Sequence, residues 1–162
     1  MRIEASRRTP IDDAYETCER TLATLRIGGE NLDPAFVTSQ LGIEPTKTQK
    51  KGEVHRNSRG LERTSKTGGW FLSSEDHVNS KDVRRHLDWL LERLIPVKDQ
   101  LRSLQETEEI VMDVNCIWWS AGDGGPTLWP EQMRLLAELN LECGFYISFY
   151  GDDEERGSDS SG

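Results

Sequence analysis

The chain has 162 residues, 35% hydrophobic and 30% charged, with a formal net charge of -9. That length suits one domain with one core, since domains cluster at roughly 100–150 residues, and apolar residues gathered in periodic blocks exclude global disorder. The acidic balance argues against general binding to nucleic acid or anionic membranes, both of which carry the same sign of charge.

Residues 1–17 are polar without a clear period and read as a flexible N-terminal segment. They contain no apolar signal-type core, and nowhere do about 18 apolar residues run uninterrupted, so neither secretion nor membrane spanning is expected. Cys18, Cys116 and Cys143 form no CxxC and are odd in number, which suits a reducing cytoplasm better than a disulfide framework. The structured part is expected over 18–150 as a single α+β domain, followed by a disordered acidic tail, GDDEERGSDSSG, over 151–162.

The first expected strand is TLATLRI, Thr21 to Ile27, with Ala23, Leu25 and Ile27 on one side and a glycine turn after it. A short helix follows: Asp33 stands at the N-cap, Pro34 at the first position, and Gly42 closes it. Then comes KTQKKGEVHRNSRGLERTSK, residues 47–66, with seven Lys or Arg against two Glu, read as a long connecting loop. GGWFLSS, Gly68 to Ser74, reads as a strand with Trp70 and Leu72 on one face. From Lys81 to Gln105 leucines and valines follow a helical stripe that Pro96 should kink or split.

EIVMDVNCIWW alternates as a half-buried strand with Ile110, Met112, Val114, Cys116 and Trp118 on one side. A helix is expected from Pro130, burying some combination of Met133, Leu136, Ala137 and Leu139. CGFYISFY closes the domain as a strand with Cys143, Phe145, Ile147 and Phe149 on one face. Strand, glycine turn, Leu-x-Pro, helix and Leu-x-x-Glu occur twice, about one hundred residues apart. The expectation is therefore α+β: a predominantly antiparallel sheet with helices packed on it, an order that also fits two ferredoxin-like βαβ halves.

The basic stretch could meet phosphates through Lys50, Lys51, Arg56 and Arg63, with Trp70 as a stacking face. The simpler reading is a solvated loop, because exposed ion pairs contribute only ~0–1 kcal/mol and demand no fixed site. The loop AGDGGPTLWPE lies between a strand and a helix, but it lacks both GK[ST] and GxGxxG, so a turn with unusual backbone angles is preferred to a phosphate cradle. Trp118, Trp119 and Trp129 are candidate interface aromatics, since adjacent tryptophans on a regular strand must point to opposite faces. His55, His77 and His86 come without HExxH, and Cys116 and Cys143 lie on apolar strand faces. No catalytic constellation, cofactor or metal site is read here, although an enzyme of unrecognised type stays open.

The combination LDPxxVTxxLGIxPT (Leu32 to Thr46), KGE (Lys51 to Glu53) and GxW (Gly68 to Trp70), in that order, resembles the bacterial family known only as Domain of Unknown Function 4279. The resemblance covers nearly all of residues 18–150. It implies no activity to carry over, but it marks Lys51, Glu53 and Trp70 as family pattern. The function expected first is a non-enzymatic cytoplasmic protein-binding module, of immunity type by analogy with other small acidic bacterial domains, meeting a basic partner. The alternative is a binder of a phosphate-bearing small molecule or nucleic acid through the basic loop 47–66, with Lys50, Lys51, Glu53, Arg56, Arg63 and Trp70 as its site.

Overall fold

A computed structural model describes residues 9–149. The expected acidic tail, 151–162, lies outside them, as do residues 1–8. The organising element is β1, Cys18–Gly29, whose alternation turns Ala23, Leu25 and Ile27 into a dry layer at 0% exposure. After it, α1 (Pro34–Leu41) begins where Asp33 Oδ1 accepts the Ala35 N–H at 3.1 Å, and ends at Gly42 in the left-handed region with φ 65. The Gly42 N–H donates to the Thr38 carbonyl at 2.8 Å, giving the expected C-terminal stop.

The basic stretch is a correction to the expected loop. It holds β2 (Lys47–Gln49) and a separate hairpin of β3 (Val54–Arg56) and β4 (Glu62–Thr64). Each strand is three residues long and lacks apolar alternation, so periodicity had nothing to register. β5 (Gly68–Ser73) follows. Then α2 (Val83–Leu94), a 3-10 turn at Ile95–Val97 and α3 (Lys98–Gln105) realise the long helical stripe, split at Pro96 as anticipated. β6 (Val111–Ser120), α4 (Pro130–Glu138) and β7 (Cys143–Phe149) complete the described chain.

The main sheet has the order β2-β5-β1-β6-β7. β5 and β6 flank β1, both antiparallel to it; β2 is antiparallel to β5, and only β6 and β7 run parallel. The α+β class with a predominantly antiparallel sheet is therefore as expected. The two segments alike in sequence each run strand, helix, strand, with their two strands parallel: β1, α1, β2 around an inserted β5, and β6, α4, β7 as neighbours.

Leucines of α2 and α3, with Val37, Leu41, Leu136 and Leu139, pack on one sheet face against Ala23, Leu25, Ile27, Trp70, Leu72, Val114, Cys116 and Trp118. Burying each such side chain is worth about 1.5–3 kcal/mol, and this layer is the core. Of the four positions from which the buried set was expected at the last helix, Leu136 and Leu139 are buried and Met133 and Ala137 exposed, and the apolar face of β7 is exposed along most of its length because α4 leaves it uncovered.

The described part of the expected flexible segment, residues 9–17, is fastened at several points. The Asp12 N–H donates to Asp82 at 2.8 Å, Asp13 accepts the Lys81 N–H at 2.9 Å, and Tyr15 stands edge-on to Trp118 at 5.2 Å. Its polar composition concealed this, because its partners lie far along the chain.

Candidate functional site on the open face of the sheet

The predicted cationic site is divided by the geometry of its hairpin. His55 faces Arg63 and Arg56 faces Glu62, so side-chain alternation puts Arg63 on one face of the ribbon and Arg56 on the other. Arg56 reaches Glu62 at 3.3 Å, while Lys51 turns back to Glu30 at 3.2 Å. Lys50 and Glu53 close the turn beneath the ribbon through their backbones, Glu53 N–H to Lys50 O at 3.1 Å. All of these side chains are exposed, and Arg56 and Arg63 do not share a face of the ribbon.

Trp70 is a correction. It is 0% exposed and its indole N–H donates to Thr38 Oγ1 at 3.0 Å, so it has no face to offer a base. Two of the three parts of the resemblance, Leu32 to Thr46 and Gly68 to Trp70, form one staple between α1 and β5, while Lys51 to Glu53 lies apart at the turn beneath the hairpin. A Cβ on Gly68 would stand 2.0 Å from the Leu32 carbonyl oxygen, which is why the strand opens on glycine. Thr46 receives the Ser73 N–H at 3.0 Å and gives its own N–H to the Phe71 carbonyl at 2.8 Å. These two parts of the motif hold α1 and β5 together by packing.

The three interface tryptophans separate as well. Trp118 is buried on the helix-covered face, which corrects its reading as a contact residue. Trp129 is half-buried and packs under the Arg84 guanidinium, 4.9 Å from its ring, while its indole N–H donates to the Thr9 carbonyl at 2.9 Å. Trp119 lies on the opposite sheet face with Arg20 over it at 5.2 Å.

Arg84 itself was missed by sequence reasoning. It is buried and spans Asp82 (2.7 and 2.9 Å), the Thr9 carbonyl (2.7 Å) and the Pro10 carbonyl (2.9 Å), tying the N-terminal segment to the start of α2. Burial alone would raise the Asp82 carboxyl pKa. Hydrogen bonds from the Arg84 side chain and from the Asp12 and Arg84 N–H groups outweigh it and hold the group below the ordinary carboxylate value.

The helix-free face of the sheet is the chemically available surface. Cross-strand pairing places Lys47, Phe71, Arg26 and Asp113 in one row, Ser73, Thr24 and Asn115 in the next, and Leu22, Ile117 and Tyr146 beyond. The short side chains of the middle row leave it low between a largely charged row and an apolar one. A hollow of about 740 Å³ lies over Leu22, Thr24, Phe71, Ser73 and Ile117, rimmed by Glu44, Glu75, Asp76, Lys47 and His77. A second hollow of about 290 Å³ shares Phe71 and runs over Gly28 and Gly69 to the base of the hairpin. In the wall of this second hollow Arg26 grips Asp113 bidentately at 2.8 and 2.7 Å. Such a face can receive an extended segment with apolar side chains and complementary charge. The surface signal available in the sequence was the non-core half of each alternation, Thr24, Phe71, Ser73, Asn115 and Ile117.

Cys116 and Cys143, on neighbouring strands β6 and β7, bring their sulfur atoms to 3.8 Å of each other. Their hydrogen bond and burial raise Cys116, and the hydrogen bond from Cys116 lowers Cys143. Among the described residues no group of three or more His, Cys, Asp or Glu is placed to hold a metal ion, and no helix is long and apolar enough to cross a membrane.

No curated protein and no solved structure matches the chain. The family model of a domain of unknown function, DUF4279, matches residues 16–150, including the α1 and β5 staple, and the chain belongs to that family.

Proposed function

We propose that the chain is a non-enzymatic binding module that receives a segment of a protein partner on the open face of its sheet, an immunity-type inhibitor being one form of such a module. The observation that carries this reading is the hollow of about 740 Å³, with an apolar floor at Leu22, Phe71 and Ile117 and acidic groups at Glu44, Glu75 and Asp76 on its rim. An apolar anchor flanked by Lys or Arg is the complement of that surface, and a chain of net charge -9 would steer a basic partner towards it. The combined variant Glu44→Lys with Asp76→Asn alters the rim while respecting the left-handed backbone of Asp76, φ 64. Affinity capture from native-host lysate at low salt should retrieve one basic protein with the parent chain and lose it with the variant. Equal capture by both would refute the reading.

The divergence of Arg56 and Arg63 weighs against the alternative of a phosphate or nucleic-acid site on the hairpin. Saturable binding of single-stranded DNA or inorganic phosphate, abolished by Lys51→Glu with Arg56→Glu, would reverse that preference.

A further inference from the structure

The two outer edges of the main sheet are unlike. β2 is three residues long and carries Lys47, the usual protection of an edge. β7 has seven residues, CGFYISF, with no charge, no proline and no register shift against β6. Phe145, Tyr146, Ile147 and Phe149 are all exposed, at 38% to 64%, and no described strand pairs with its outer side. An edge this long and apolar is a template for another strand.

We propose that β7 pairs antiparallel with β7 of a second copy across a two-fold axis at Tyr146, joining two five-stranded sheets into one. Two independent properties of the strand select this occupant. The first is the order of its side chains, which reads alike from both ends by type. Cys143 mirrors Phe149, Gly144 mirrors Ser148, and Phe145 mirrors Ile147 about Tyr146. Antiparallel pairing in that register sets Phe145 against Ile147 of the copy, an aromatic against a β-branched side chain, and keeps apolar residues on one sheet face.

The second is the direction of the backbone groups. Val114 N–H donates to the Glu142 carbonyl at 2.8 Å, which fixes the even positions of β7 as those facing β6 in a parallel ladder. The N–H and carbonyl groups of Phe145, Ile147 and Phe149 therefore point outward. Those are the positions that a two-fold at Tyr146 brings together as hydrogen-bonded pairs. Registers centred on Phe145 or Ile147 keep this parity but leave part of the strand unpaired. Charge agrees: in a chain of net charge -9, an uncharged strand is where two copies approach with least repulsion.

The test is sedimentation velocity of the full chain at micromolar concentration, where twice the 18.5 kDa chain mass is expected. Ile147→Lys, which places a cation on the edge, and Ile147→Pro, which deletes an outward N–H without touching the β6 ladder, should each return the mass to one chain with an unchanged circular dichroism spectrum. Tyr146→Cys should cross-link to itself on mild oxidation where the parent chain does not, fixing the register. A dimer that survives both Ile147 variants overturns the proposal, since the interface then lies elsewhere. A monomeric parent chain overturns it too. Slow amide exchange at Phe145, Ile147 and Phe149 would then mean that another segment of the same chain covers the edge. Fast exchange would mean that it is open to an unlike strand.

Discussion

Arg84 and Arg56 both pair with a nearby carboxylate, and they teach opposite lessons. Arg84 and Asp82 are 4% and 5% exposed and share their hydrogen bonds with the backbone of residues 9, 10 and 12. Arg56 and Glu62 are 74% and 61% exposed on a hairpin that touches solvent on every side. Charge density in sequence pointed to the hairpin, whereas physical consequence follows desolvation. A single arginine with buried partners ties down the N-terminal segment, whereas the exposed Arg56 and Arg63 of the hairpin stand on opposite faces of the ribbon.

The sharpest way to break this comparison is Arg84→Ala, which strands the Asp82 carboxylate and should lower unfolding free energy by about 3–5 kcal/mol in a denaturant titration. A loss under about 1 kcal/mol would mean that water already reaches the pair. Combining Arg84→Met with Asp82→Leu should recover most of the loss, except about 1 kcal/mol for the missing N-cap of α2.

Next in size is Thr38→Val, which leaves the buried Trp70 indole without its acceptor and should cost about 1–3 kcal/mol by the same titration. It extends the comparison to a neutral pair.

Acid should act on the buried groups before the hairpin. His86 sits between the Ser74 hydroxyl at 2.7 Å and the Ser80 carbonyl at 2.8 Å, so Nε2 donates and Nδ1 accepts. Burial lowers its pKa below the ordinary 6.5 despite that carbonyl. A depressed native value means that the unfolded chain takes up protons first. Stability present above pH 6.5 should fall as pH drops through that value towards the native one. Asp82, also depressed, adds stability that is present above its ordinary 3.8 and is lost at more acid pH. Thermal melts between pH 8 and 5 should show the first decline in the parent chain and a flatter profile in His86→Gln.

The smallest effect should be Arg56→Ala, within the ~0–1 kcal/mol range of exposed pairs and without a change in melting temperature at high salt. A loss matching that of Arg84 would collapse the distinction.

What the sequence disclosed follows the same physics. β1, β5, β6 and the split helix were legible because a strand or helix with one dry face must repeat its apolar residues at period 2 or 3.6, as Leu25, Trp70, Val114 and Leu87 do. Alternation in β7 was equally plain, yet whether Phe145 and Ile147 are covered depends on where α4 lies, which no local period encodes. Trp70 and Trp119 are the same residue type in similar strands, and which is sealed depends on which sheet face the helices cover. Arg84 looked like one more surface arginine in KDVRRH, because its partners at Thr9 and Pro10 are 75 and 74 positions away. The open face was visible only as the complement of the core pattern.

The central place of β1 has a kinetic consequence. Its neighbours are far off in sequence: Ala23 meets Ser74 across 51 positions, and Arg26 meets Asp113 across 87. The strand that organises the sheet is thus made early and must wait, unpaired, while most of the chain that completes its ladders is synthesised. Chains dominated by such distant pairings fold in the millisecond-to-second range, and this one should first dock β5 on β1 and only later close β6 on the other side.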